Sequence, residues 1–176
     1  MKRAQILMFD TISNERLEMV HPELARRLRK LASLLSFDIR LTQGLRTYSQ
    51  QDGFWQQGRN PDGTYIDPRY HKGIVTNAKG GDSAHNFGYA GDVAPISAGV
   101  IDWDGRDEKW KEILAKATSC GLGEGATWRI FPDEPHLYLE ELPADPDDAF
   151  RYIMGDGGIT AVFAEIDRRL AGSAKT

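Results

Sequence analysis

Ser83-Ala84-His85-Asn86-Phe87-Gly88-Tyr89-Ala90-Gly91-Asp92 is the stretch that orders the rest of the chain. It has the form S-x-H-x-x-G-x-A-x-D. Imidazole and carboxylate are good ligands for a zinc-type ion, and a catalytic zinc takes three protein ligands while its fourth position stays open. The small residues Gly88, Ala90 and Gly91 let the backbone turn and pass close to such a site. A strand is expected from about Tyr89 to Ala94. The third ligand should be another histidine, and the candidate is His136 in Phe131-Pro132-Asp133-Glu134-Pro135-His136. Two prolines restrict that segment and suit it to presenting side chains in a fixed geometry. From His136 to Glu140 the pattern alternates, so Leu137 and Leu139 face a core while His136, Tyr138 and Glu140 take the other face.

Hydrolysis at such a metal needs a base that takes a proton from water and returns it to the leaving group. Asp133 and Glu134 both stand just ahead of His136, and chemistry alone does not separate them. An arginine would stabilise a developing oxyanion or a substrate carboxylate, and Arg46 in Gly44-Leu45-Arg46-Thr47 is the candidate. Each of these residues has a plainer role open to it. A single histidine is most often packed or solvated, Asp92 can cap a turn, Arg46 can form a surface ion pair, and Asp133 after Pro132 is an ordinary turn residue. His21 and His71 are assigned that plainer role. Trp128 and Phe131 are more often core than substrate platform, although Trp128 is carried as a candidate substrate contact.

Outward from the motif, Leu17, Val20, Leu24, Leu28, Leu31 and Leu35 recur at helical spacing between Glu15 and Ser36, with Pro22 marking a helix start inside the segment. Phe37, Ile39 and Leu41 alternate with polar residues towards Gly44, which predicts a half-buried strand. A short helix is expected from Ser49 to Gln57, closed by Gly58. Gly58 to Gly81 is rich in Gly, Pro, Asn and Asp and is expected to be a long surface loop, a kind that tends to be functional. A helix from about Asp107 to Ser119 carries Trp110, Ile113, Leu114 and Ala117. A last amphipathic helix carries Ile159, Val162, Phe163, Ile166 and Leu170. Helices grouped around a few antiparallel strands predict a single compact α+β domain over residues 1–176, with 141–176 as a helical extension whose role the sequence does not reveal.

Length and composition agree with one soluble domain: 176 residues, 40% hydrophobic and 27% charged. A formal charge of −4 argues against a nucleic-acid binder with a broad basic surface. The run Arg26, Arg27, Arg29 and Lys30 is expected to be a solvated helix face. The lone Cys120 excludes an intramolecular disulfide and a thiolate cluster, and is expected to be a small packing residue. No apolar segment reaches the length of a membrane span, and Ile6 to Phe9 is too short for a signal-peptide core. Synthesis in the cytoplasm, no membrane insertion and a monomeric state are the expectations.

Taken in order, these blocks resemble the zinc peptidases of the D-Ala-D-Ala carboxypeptidase and L-alanyl-D-glutamate endopeptidase family (peptidase family M15). The resemblance runs from about Ser13 to Glu140. It is carried by the helix with Pro22, Gly44-Leu45-Arg46-Thr47-Tyr48-Ser49-Gln50-Gln51, Val75-Thr76-Asn77-Ala78-Lys79-Gly80-Gly81, the Ser83–Asp92 motif, and Asp133 to His136. Asp-x-x-His together with Asn-Ala-Lys is similar to the endopeptidase branch that includes phage endolysins, where the carboxypeptidase branch has Glu-x-x-His. The resemblance implies the hedgehog/D,D-peptidase-like fold, with a zinc site on the face of a small antiparallel sheet. It implies His85, Asp92 and His136 as zinc ligands, Asp133 as base, Arg46 as the arginine, and Ser83 as a support for site or substrate. It implies hydrolysis of the L-Ala–D-Glu bond of the peptidoglycan stem peptide, by an endolysin released to the cell wall after synthesis. Two other functions remain open: D-Ala-D-Ala carboxypeptidase action on the same site, and a non-catalytic zinc-binding wall-recognition or phage structural domain. The ligand set would also accept cobalt or manganese. Gly91 stands where the family has a larger apolar residue, which predicts a looser strand around Asp92.

Overall fold

The computed structural model describes residues 9–67, 73–104 and 107–173. His71 and the Lys72 end of the Gly58–Lys72 loop lie outside the described residues.

The first apolar stripe is divided between two helices. α1 (Thr11–Leu17) starts at Asp10, whose carboxylate accepts from the Ser13 amide, and α2 (Pro22–Leu34) starts at His21, whose side chain accepts from the Glu23 amide. Pro22 explains the division, because it lacks the N–H that would continue the earlier helix and its fixed φ suits a first helical turn. Leu24, Leu28 and Leu31 then point into the core, fully buried. β1 (Ile39–Gln43) follows, then α3 (Tyr48–Gln56). α3 begins one residue earlier than expected, because Thr47 and Gln50 form a reciprocal capping box that satisfies two free donors.

Beyond the long loop, a 3-10 turn (Ala84–Phe87) leads into β2 (Ala90–Ser97), which pairs with the short β3 (Val100–Ile101). α4 (Glu108–Ser119), β4 (Leu122–Gly125) and β5 (Asp133–Leu139) come next. α5 (Asp148–Ser173) is bent at Gly158. The sheet has the order β1-β2-β5-β4 and every pairing is antiparallel. β4 carries no strand signal, since half of Leu122-Gly123-Glu124-Gly125 is glycine. Its place is set by pairing with β5.

Helices cover one face of this sheet. Leu41, Val93, Leu137 and Leu139 point from it into a core shared with α2, with Ile113 of α4, and with Phe150, Val162 and Ile166 of α5. Two sequence expectations need correction here. Arg27 does not lie on a solvated face: it is buried, its guanidinium forms 2.8 Å and 2.6 Å bonds to Glu141, and it also donates to the Gly121 carbonyl. It therefore ties α2 to the two turns that flank the β4–β5 pair. Gly91 does not loosen its strand. A Cβ at that position would lie 2.8 Å from Leu41 Cδ1, so glycine is what allows β2 to pack closely against β1.

The C-terminal segment closes the underside of the motif. Phe150 packs against Phe87 (5.5 Å between ring centroids) and Tyr89 (5.3 Å), and Arg169 lies 4.2 Å over its ring. The Tyr89 hydroxyl donates to the Pro143 carbonyl at 3.0 Å. Gly88 has φ of +71°, and a Cβ there would meet the Phe163 ring at 2.7 Å. Glycine at that position serves both the left-handed turn and the contact with α5. His21 belongs to this packing and not to the polar face. It is buried, its ring sits edge-on to Phe163 at 5.1 Å, and burial depresses its pKa.

Candidate metal centre

Asp92 and His136 are cross-strand partners in the β2–β5 ladder, so both side chains leave the same face of the sheet. Asp133, three residues before His136, opens β5. The 3-10 turn lifts His85 over the same face, and the left-handed Gly88 returns the chain to begin β2. His85 Nε2, Asp92 Oδ1 and His136 Nδ1 converge, at 3.1 Å between His85 and Asp92, 3.1 Å between the two imidazoles, and 3.4 Å between His136 and Asp92. Among the described residues these three form the group that could hold a metal ion.

The donors fit a tetrahedral ion. Bonds of about 2.0–2.1 Å place neighbouring ligand atoms about 3.3–3.4 Å apart, close to the separations observed. His85 Nδ1 lies 2.8 Å from the Gly44 carbonyl, which fixes it as the protonated nitrogen and turns the Nε2 lone pair to the centre. His136 Nε2 is buried with no hydrogen-bond partner, so Nδ1 is its working atom. Burial alone would raise the Asp92 carboxyl, but the charge and hydrogen bonds of the two imidazoles outweigh it and hold it well below the usual carboxylate range.

Arg46 bonds through Nη2 to Asp92 Oδ2 at 2.6 Å, and its guanidinium lies 4.8 Å over the Phe54 ring. Its backbone N–H donates to the His85 carbonyl at 3.0 Å. In this geometry the arginine first orients a ligand carboxylate, and it also lines the cavity. Asp133 lines that cavity too, whereas Glu134 is exposed and does not contribute to the wall. Burial raises the Asp133 carboxyl to about 6, the nearby Asp92 charge adds to this, and His136 and Arg46 oppose it. A carboxyl poised there changes protonation near neutral pH, as acid–base work requires.

The cavity holds about 520 Å³. Ser83 is buried at its edge and makes no capping bond with its side chain. Trp128 is half-buried outside the core and forms part of the wall, its ring 4.9 Å from His136. His85, Asp92, His136, Asp133, Arg46, Ser83 and Trp128 therefore all border this one space, and Glu134 does not. Sequence reasoning missed Thr42, whose hydroxyl donates to the Asp92 carbonyl at 3.1 Å, and Gln51, which is buried between Arg46 and the Ala78 carbonyl. Gln51 could have been found as the polar residue on the inner face of a helix that begins directly after Arg46.

Fold and site together define a small metallopeptidase-type domain. A protein-family model described as D-alanyl-D-alanine carboxypeptidase matches residues 76–139. The chain is similar to the peptidoglycan L-alanyl-D-glutamate endopeptidase CwlK of Bacillus subtilis (strain 168), 34% identical over 124 residues that cover 65% of this chain and 68% of that protein. It is also 39% identical over 56 residues to the L-alanyl-D-glutamate peptidase of Listeria phage A118, a match spanning 31% of this chain and 20% of the relative. Among solved structures it resembles the Serratia marcescens L-Ala D-Glu endopeptidase ChiX, with a TM-score of 0.54 and 24% identity, covering 76% of this chain and 90% of the other. That likeness is one of fold. The chain belongs to the M15 peptidase family.

Proposed function

We propose that this protein is a zinc-dependent endopeptidase that hydrolyses the L-Ala–D-Glu bond of peptidoglycan stem peptides and acts on the cell wall. The observation that carries the proposal is the convergence of His85, Asp92 and His136 in one cavity with a raised Asp133 carboxyl. The activity named for CwlK, the phage A118 peptidase and ChiX supports the choice of bond. The phage relative supports an endolysin role. No helix among the described residues is long and apolar enough to cross a membrane.

His85, Asp92 and His136 would hold the zinc, which would supply Lewis acidity to the reaction. Asp133 takes the proton of the attacking water as the new C–O bond forms. It then delivers that proton to the departing D-glutamyl nitrogen as the C–N bond breaks. Arg46 fixes Asp92 and presents positive charge to the developing oxyanion. Ser83 and Trp128 border the bound peptide, and Trp128 offers a flat apolar surface.

The test is digestion of purified murein by the metal-loaded protein, with mass spectrometry of the soluble products. The expected result is a new D-Glu amino terminus, abolished by a chelator and by Asp133→Ala. Release of terminal D-Ala would instead identify carboxypeptidase action. Intact murein with metal bound would identify a binding module. Turnover retained in Asp133→Ala would overturn Asp133 as the base, and loss on Glu134→Ala would then be needed to keep the scheme.

A further inference from the structure

A second cavity of about 700 Å³ lies between α1 and α3. It shares Arg16, Gln43, Arg46 and Phe54 with the lining of the metal cavity, so the two lie side by side along one path across the surface of β1 and α3. Their charge is opposite in character. Asp82, Asp92, Asp133 and Asp145 line the metal cavity, whereas among the described residues no carboxylate lines the second one.

Three arginines reach this path, and two are already neutralised. Arg46 is held by Asp92 at 2.6 Å and Arg40 by Asp10 at 2.7 Å. Arg16 is different. It is half-buried, and its one hydrogen bond is from Nη1 to the Leu41 carbonyl at 2.8 Å, with no carboxylate paired to it among the described residues. A guanidinium has five N–H donors in a planar fork that matches a carboxylate. The bond to Leu41 fixes the orientation of the fork and leaves most of its donors free. Beside it, Gln43 gives its carbonyl oxygen to Arg46 Nε at 3.4 Å, which leaves its amide nitrogen as a further donor. The position is anchored to the active centre: a Cβ on Gly44 would stand 3.7 Å from the Arg16 Cβ, and the Gly44 carbonyl is the one that orients His85.

We propose that this side cavity is a carboxylate subsite, with Arg16 as its substrate-binding residue and Gln43 as the supporting donor. It would receive a free carboxylate from the D-glutamyl side of the scissile bond, and this inference rests on the stem-peptide function proposed above. The arrangement also sets direction. Carboxylates beyond the cleaved bond are drawn towards Arg16 on α1 and away from the carboxylates that line the metal cavity.

The test compares L-alanyl-γ-D-glutamyl-diaminopimelate with the same peptide amidated at its carboxylates, as substrates for wild type, Arg16→Gln and Arg16→Lys. Arg16→Gln removes the charge and shortens the side chain, Arg16→Lys keeps the charge, and thermal melting verifies the fold of both. Wild type should prefer the free acid through KM by roughly tenfold or more, the scale of a charge-assisted pair. Arg16→Gln should lose that preference, and Arg16→Lys should recover part of it. Calorimetric binding of the product γ-D-glutamyl-diaminopimelate supplies a readout that does not need turnover. An acid preference unchanged in Arg16→Gln, with wild-type cleavage intact, overturns the subsite and leaves the endopeptidase function standing. Acid-selective binding that depends on Arg16, without cleavage by any variant, supports the subsite and overturns the bond assignment. Equal loss on acid and amide peptides would make Arg16 purely structural and also overturn the proposal.

Discussion

The two sides of the segment Ser83–Asp92 are built on different principles. Its front presents His85 and Asp92 to a polar cavity, where hydrogen bonds to the Gly44 carbonyl and to Arg46 orient them. Its back presents Phe87, Gly88 and Tyr89 to α5, where fit is set by the rings of Phe150 and Phe163. On the front, chemistry dictates residue type, since only certain atoms bind a cation or carry a proton. On the back, volume and shape are what count, and many apolar sequences meet that requirement.

This contrast can be broken by substitutions that exchange the expected effects. The largest effect is expected from His136→Gln. It should lower murein hydrolysis at least about a thousandfold, because the several kcal/mol supplied by the metal are lost, while the denaturation midpoint of the metal-free protein moves little. Phe150→Ala, on the opposite side, should cost about 3–5 kcal/mol of folding stability and reduce activity per folded molecule less than tenfold. Chemical denaturation alongside an assay at matched folded concentration separates the two. Comparable destabilisation by both would erase the division between front and back.

A smaller effect lies inside the strand. Gly91→Ala should destabilise by about 1–3 kcal/mol, since its Cβ would press on Leu41 from 2.8 Å. A stabilising Gly91→Ala, read as a raised melting temperature, would show that β1 and β2 have room to spare.

The smallest expected effect concerns the protonation of Asp133. In metal-free protein the Asp133 carboxyl is raised to about 6. A raised acid favours its protonated form in the folded state, so its contribution is full below the unfolded value of about 3.9 and is lost as pH rises through about 6. With chelator present, wild type should lose on the order of 1–2 kcal/mol relative to Asp133→Asn between pH 4 and 7. Parallel stability curves for the two proteins would remove the burial argument for Asp133.

The same division decides what could be read from the amino-acid order. The clustering of His85, Asp92 and His136 was legible because their types and spacing have few chemical alternatives, whereas Asp133 was set apart from Glu134 only by resemblance. The alternation at Leu137 and Leu139 gave β5, and the stripe of leucines gave α2. Arg27 was misread because its run of basic neighbours is typical of a solvated face, and its partner Glu141 is distant in sequence. β4 was illegible because glycines carry no periodicity, and its strand exists only by pairing with β5. The role of Phe150 was hidden for a related reason: an aromatic residue on a helix says that it is buried, not what it is buried against. Arg16 carried no signal at all, since its interest comes from the carboxylate it does not have.

The bent α5 helix gives the molecule an order in time. His85, Asp92 and His136 have all been synthesised by position 136, yet the rings that brace the His85 turn from behind arrive only at 150 and 163. A growing chain therefore has the residues of the candidate metal centre before it has the wall behind the His85 turn. The turn that carries His85 gains its back wall only when α5 has been added.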